Sequence, residues 1–213
     1  MQEAQVIVVR HGETEWNLEG RWQGHEDSPL TPNGHFQAQA AAKVISGFHP
    51  KRLYSSDLGR ALQTSQYIAR ETGLEIQQEP SLRERKLGIF QGLTTQEMKA
   101  SYPDIYEEFR NAGAGYRVPE GESIQDRFDR SIAGFNKLAR NHNGESVVIV
   151  THGGVLDGLF RYVIGLPLTA PRHFKIWNCS LNHFSFDGET ESWRLDTFGE
   201  IAHLRTMQTL DDL

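Results

Sequence analysis

Two stretches of this 213-residue chain run from apolar residues straight into a histidine. Val6-Ile7-Val8-Val9 leads into Arg10-His11-Gly12, and Val147-Val148-Ile149-Val150 leads into Thr151-His152-Gly153-Gly154. An imidazole titrates near neutrality, so at physiological pH it can serve as nucleophile, base or acid. The glycines that follow let backbone approach a ligand closely. Arg10 offers a planar fork of donors that matches phosphate oxygens. Arg60, in Ser55-Ser56-Asp57-Leu58-Gly59-Arg60, offers a second fork from a strand-to-helix turn; its structural role would be a solvated arginine opposite Asp57. Glu84, in "SLRERKLGIFQG", supplies a carboxylate that its basic neighbours should keep ionised. Each residue alone is ordinary. Two buried strands that both deliver a histidine point to an anion cradle, in which an imidazole meets a phosphoryl group.

The elements that must position these groups follow from hydrophobic spacing. Residues 6–9 and 147–150 read as strands buried on both faces, as in the interior of a parallel sheet. Thr31-Pro32 opens a helix whose stripe is Phe36, Ala40 and Val44, joined by Ala41, Ile45 and Phe48. A strand over 51–55, a helix over 58–72 and a weaker strand over 75–78 come next. A long amphipathic helix starts at Ser123 and carries Ile124, Phe128, Ile132, Phe135, Leu138 and Ala139 inward. Another carries Val155, Leu156, Leu159, Phe160 and Val163. Strands over 182–186 and 192–198 turn through Asp187-Gly188. This alternation predicts an α/β fold, a three-layer α/β/α sandwich around a mostly parallel sheet. In such sheets ligands bind beyond the carboxyl ends of the strands. His11 and His152 share one end if their strands are central and parallel, and the helix after His152 adds free N–H groups. Residues 85–121, rich in Gly, Pro and charge, read as a lid-like insertion with short helices near 95–101 and 104–110. The whole of 1–213 is expected to be one domain, with a polar tail after His203.

Composition bounds the function. Hydrophobic residues are 38% and charged residues 23%, as in an ordinary globular protein. The apolar runs are too short to span a membrane, and the first residues lack the pattern of a signal peptide. Cys179 is the single cysteine, which fits a reducing compartment and a cytoplasmic location. A net charge of −6 argues against general nucleic-acid binding and favours a small, concentrated anion such as a phosphorylated metabolite. No spacing typical of a metal site is present, and no cofactor is expected. Residues 182–186 are a candidate dimer edge, so a homodimer is one expectation.

The motif "RHGETEWN", the segment "SSDLGRALQT", the block "LRERKLGIFQG", the turn "PEGES" and "VVIVTHGG" occur in this order along nearly the whole chain. Together they resemble the histidine phosphatase superfamily, the phosphoglycerate mutase-like proteins. The resemblance implies that His11 is a nucleophile that becomes phosphorylated. It places Arg10, Arg60 and His152 in the phosphate pocket, with Asn17 as a further polar contact and Gly153 close by. Glu84 matches the usual proton donor, and Gln23 and Gly24 match a loop that touches substrate. For this chemistry His11 must stay neutral, with its second nitrogen donating to a backbone carbonyl. Glu84 must have its pKa raised by burial or by the phosphate, and a protonated or donating His152 would offset phosphoryl charge. A metal-independent phosphomonoesterase is the expected activity. A mutase is the alternative, although the segment Gly92-Leu93-Thr94-Thr95 lacks the lysine of cofactor-dependent mutases and "FRNAGAGYRVPEGES" lacks their paired arginines. A non-catalytic phospholigand-binding module is the alternative of another class. Candidate substrates implied by the resemblance are phosphoglycerates, phosphoserine, sugar phosphates and a ribazole phosphate. Arg110, Tyr116 and Arg117 read better as surface residues than as lid contacts. Trp22 packs on a substrate or anchors its own loop, and His173, Trp177 and Asn178 approach the pocket from the C-terminal segment.

Overall fold

A computed structural model describes residues 3–205. Its sheet has six strands: β1 (Glu3–Arg10), β2 (Arg52–Ser55), β3 (Ile76–Gln78), β4 (Ser146–Thr151), β5 (Leu181–Asp187) and β6 (Ser192–Glu200), in the order β3-β2-β4-β1-β5-β6. β3, β2, β4 and β1 pair in parallel, and β5 pairs antiparallel with both β1 and β6. The two apolar runs are therefore neighbouring central strands, as their two-sided hydrophobicity requires.

Helices cover both faces. On one face α2 (Pro32–Ser46) and α3 (Gly59–Thr72) cover Ile7, Val9, Leu53, Val148 and Val150. On the other, α6 (Ile124–Asn141) and α7 (Gly153–Ile164) cover Val6, Val8, Val147, Ile149, Phe184 and Phe186. Burying a side chain such as Phe135 or Leu159 contributes roughly 1.5–3 kcal/mol, so these two layers supply most of the drive to fold. The helix starts are specified locally. Thr31 accepts from Gly34 N ahead of Pro32, and Ser123 and Asp126 form a reciprocal capping box. α1 (Glu15–Leu18) is a single turn capped by Thr14.

Between β3 and α6 the chain makes α4 (Thr95–Ser101) and α5 (Pro103–Asn111) around a separate apolar cluster of Leu87, Phe90, Met98 and Val118. This segment docks on the loop after α1. Trp22 N donates to Leu93 O at 3.0 Å, Gly92 N donates to Trp22 O at 2.8 Å, and Arg21 pairs with Glu97. Trp22 meets Phe109 edge-on at 5.9 Å, so it anchors its own loop.

Several expectations change. Phe36 and Phe48 are exposed; α2 buries Ala41 and Ile45 as expected, but joined by Ala38 and Ala42. Small residues there let α2 lie close to α3 and the sheet, which leaves no room for phenylalanine. β5 is an interior strand, covered on its far side by β6, so residues 182–186 are not a sheet edge. The turn after Asp187 relies on Asp187 accepting from Glu189 N and Thr190 N, with Glu191 as its left-handed residue rather than Gly188. The polar tail lies outside the described residues from 206 onward. Among the described residues no helix is long and apolar enough to cross a membrane.

The loop leaving β1 crosses the start of α2 at van der Waals distance. A Cβ on Gly12 would lie 2.7 Å from Gly34 O, and one on Gly34 would collide with Glu13 O. Gly34→Ala is therefore expected to destabilise the fold by about 2 kcal/mol or more, because backbone cannot yield as a side chain does. A urea midpoint equal to that of the unaltered protein would refute this crossing.

Candidate active site

The register of β1 against β4 pairs Arg10 with Thr151, and His11 N donates to Thr151 O at 2.9 Å. His11 and His152 leave the sheet together, with ring centroids 5.3 Å apart. Ser56 N donates to Val150 O at 2.9 Å and so brings the end of β2 alongside. His11, Arg10, Arg60 and His152 are all at most 3% exposed.

Each histidine has a defined hydrogen bond. His11 Nδ1 lies 2.8 Å from Gly12 O, which can only accept, so the ring proton sits on Nδ1 and Nε2 keeps its lone pair. Asn178 Nδ2 donates to His11 O at 2.9 Å and fixes the backbone from the C-terminal side. His152 Nε2 lies 2.8 Å from Ser56 Oγ, which also accepts from Leu58 N. His152 Nδ1 has no partner among the described residues. Burial, then Arg60 and Arg10, hold His11 well below the ordinary histidine value of 6.5. Burial, then Arg60 and His11, do the same to His152. A protonated His152 is thus disfavoured, contrary to one of the two forms expected from the sequence.

The guanidiniums are held by backbone as much as by charge. Arg10 Nη1 donates to Ile176 O at 2.5 Å, and Cys179 N donates to Arg10 O at 2.9 Å. Gly153 lies against the Arg10 side chain, where a Cβ would be 3.6 Å from Nε. Arg60 donates to Gly24 O at 2.9 Å, Glu26 O at 2.8 Å and Asp27 Oδ1 at 2.8 Å. Its carboxylate partner is therefore Asp27, whereas Asp57 pairs with Arg83. Asn17 and Gln23 are buried beside this loop. Asn17 Oδ1 accepts from Thr14 N at 3.1 Å, Gln23 Nε2 donates to Thr14 Oγ1 at 2.8 Å, and Asn17 Nδ2 and Gln23 Oε1 have no partner among the described residues.

Glu84 reaches the same end of the sheet. Thr151 Oγ1 donates to Leu82 O at 2.7 Å, and Arg130 donates to Ser81 O at 2.7 Å, Arg83 O at 3.0 Å and Glu84 O at 3.3 Å. The carboxylate then accepts from Gly154 N at 2.7 Å and Arg85 N at 2.8 Å. A side chain on Gly154 would collide with it. The first turn of α7 thus holds the protein's own carboxylate. Burial pushes the Glu84 pKa up, but Arg127, these two N–H groups and Arg60 outweigh it, so the carboxyl lies below its ordinary value. The raised pKa expected from burial is not found. Of its basic neighbours, Arg83 turns to Asp57 and Lys86 to solvent, but Arg85 stays buried close by.

Of the remaining candidates, Arg110 and His173 are exposed, Arg117 pairs with Asp126, and Tyr116 donates to Glu108. Trp177 lies under Lys175, its ring 4.4 Å from Nζ. Ser56, Asp27, Arg127 and Arg130 were not singled out from the sequence. Arg127 and Arg130 carried a usable sign: charged residues spaced among the apolar positions of an amphipathic helix.

Both buried histidines are neutral in the fold and bind protons more readily when unfolded. Stability should be level above about pH 6.5 and fall as pH drops below it, because the unfolded chain then takes up more protons. His152→Gln removes one such group, so the slope of Tm against pH below 6.5 should flatten. An unchanged slope would contradict the neutral burial of His152.

The comparisons agree with this geometry. Residues 6–200 match the model of the Histidine phosphatase superfamily (branch 1). The chain is 40% identical over 205 residues to Phosphoglycerate mutase-like protein 4 of Arabidopsis thaliana, covering 94% of this chain and 87% of that one. It is similar in structure to Bacillus stearothermophilus YhfR, with a TM-score of 0.85, 30% identity, and 95% and 100% of the two chains covered. A mycobacterial glucosyl-3-phosphoglycerate phosphatase superimposes with a TM-score of 0.80 at 32% identity, over 94% and 100% of the two chains. With its paired histidines at the ends of β1 and β4 and a family match spanning the sheet, the chain belongs to the histidine phosphatase superfamily.

Proposed function

We propose that the chain hydrolyses a small phosphomonoester through a phosphohistidine formed on His11. The observation that supports this most is the meeting of two neutral imidazoles and two guanidiniums at one strand end. His11 Nε2 attacks phosphorus as the ester P–O bond breaks. Arg10, Arg60 and His152 offset charge on the non-bridging oxygens. Glu84 gives a proton to the departing alkoxide. The Glu84 pKa lies below its ordinary value, so the incoming phosphate must raise it, as a nearby negative charge does. Water then attacks phosphorus, the N–P bond breaks, and Glu84 takes the proton that water loses. Asn17 Nδ2 is a further donor for the phosphate, while Gln23 and Gly24 shape the loop over it.

A second reading, phosphoryl transfer between hydroxyls, is suggested by the name of the Arabidopsis relative. The lid arginines argue for hydrolysis, since Arg110 points to solvent and Arg117 is engaged by Asp126. The name of the mycobacterial neighbour is in line with hydrolysis.

His11→Ala should lower kcat on an aryl phosphate by at least ~1000-fold, as loss of a covalent nucleophile does, while the protein still melts cooperatively. Rapid quench should trap an acid-labile, base-stable phosphoenzyme; an acid-stable adduct would move the phosphate to Ser or Thr. Inorganic phosphate release from 3-phosphoglycerate, against its isomerisation to 2-phosphoglycerate, decides between the two readings. Chelators should leave the rate unchanged, as Arg10 and Arg60 carry the positive charge and, among the described residues, no cluster of three His, Cys, Asp or Glu could hold a metal. An EDTA-sensitive loss that zinc or magnesium restores would overturn this.

A further inference from the structure

The loop that holds Arg60 also reaches Glu84. Residues 24–27 give Arg60 its partners through Gly24 O, Glu26 O and Asp27 Oδ1. Asp27 also accepts from Gly59 N at 2.6 Å and Arg60 N at 3.2 Å, so the loop caps the start of α3. In the same loop His25 turns the other way. Its Nε2 lies 2.8 Å from Glu84 O, a carbonyl that can only accept, so Nε2 carries a proton and donates. Arg130 donates to that carbonyl at 3.3 Å, so His25 makes the shorter of these two bonds.

The backbone at His25 is pinned for this contact. Its N–H donates to Gln91 Oε1 at 2.9 Å, and the same oxygen accepts from Leu87 N at 3.2 Å. Gly24 is left-handed at φ 57°, and a Cβ there would lie 2.6 Å from Gln91 Oε1. The chain therefore passes Gln91 on a path that only glycine takes easily, and that path aims the imidazole at Glu84 O.

The contact falls on a peptide group that matters to the carboxylate. Glu84 O and Arg85 N belong to one planar unit, and Arg85 N donates to Glu84 Oε1 at 2.8 Å. Holding the carbonyl end of that plane fixes the direction of its N–H. The donor is also suited to its neighbour. A further cation there would hold Glu84 ionised, and Arg130 already supplies one. Burial lowers the His25 pKa more than its bond to Glu84 O raises it, so the ring donates without adding a charge.

We propose that His25 is a positioning residue for proton transfer: by fixing the plane of the Glu84–Arg85 peptide it aims Arg85 N–H at the Glu84 carboxylate and holds that carboxylate in register with Arg60. The inference rests on reading Glu84 as the proton donor.

The test compares leaving groups. Phenoxide needs a proton as its P–O bond breaks, whereas 2,4-dinitrophenolate departs without one, and kcat/KM reports the steps up to that departure. Glu84→Gln is the control and should lose much more on phenyl phosphate than on 2,4-dinitrophenyl phosphate. His25→Leu should show the same asymmetry. It should lose ~10-fold on phenyl phosphate, part of the ~100- to 10,000-fold that a general acid supplies, and far less on the dinitrophenyl ester. His25→Gln, whose amide can reach Glu84 O, should recover most of that loss. Equal losses on both esters, no loss on either, or no recovery in His25→Gln overturns the proposal. Where His25→Leu does not fold, His25→Asn, whose amide stops short of Glu84 O, takes its place. If the unaltered enzyme hydrolyses neither ester, or Glu84→Gln shows no asymmetry, the reading of Glu84 as the acid fails. Hydrogen exchange of the Arg85 amide then tests the positioning by itself: faster exchange in His25→Leu, reversed in His25→Gln, supports it, and unchanged protection sinks it.

Discussion

Arg10 pairs with Thr151 across β1 and β4, and that register sets the height at which two histidines leave the sheet. A slip by one residue would turn Arg10, His11 and His152 to the opposite faces and bury apolar side chains in the cradle. The register is held because both strands are apolar on both faces, with α2 and α3 on one side and α6 and α7 on the other. The layers thus act as the site's alignment device: the hydrophobic energy that folds the chain also fixes where the imidazoles meet.

The charges follow from that placement. A net charge of −6 does not reach the strand ends, where Arg10 and Arg60 sit beside neutral rings. Burial penalises a second proton on either imidazole, and the guanidiniums add to the penalty, so His11 is kept uncharged by its surroundings. Glu84 is the counterweight. It is held by Gly154 N and Arg85 N, and its segment is held by Arg130 through three carbonyls. The catalytic carboxylate of the proposed reaction is thereby rigid, and its proton affinity is left to the ligand.

Much of this was legible in the sequence. The α/β architecture followed from two-sided apolar strands alternating with amphipathic helices, and the helix starts followed from Thr31-Pro32 and Ser123. The meeting of His11, His152, Arg10 and Arg60 followed from parallel strands sharing one end. Partners across long sequence separations were not legible. Asp27 was invisible as the mate of Arg60 because a loop path, unlike a helix or strand, has no period. Ser56 looked like turn material until β2 placed it against His152. Phe36 was misassigned because a four-residue stripe on α2 can be drawn on either of two adjacent faces, and only close packing through Ala38 and Ala41 selects one. The protonation of Glu84 turned on Arg127, forty-three positions away, whose charge no local motif discloses.

Cys179 shows what such packing does to chemistry elsewhere in the chain. Its backbone N–H ties down the Arg10 carbonyl, and its thiol is fully enclosed with its pKa pushed far up by burial. A thiol so enclosed is sealed from alkylating and oxidising reagents while the strand ends remain closed. The protein's one thiol is thereby a clock for opening of that region: its labelling rate measures how often the backbone around Arg10 comes apart.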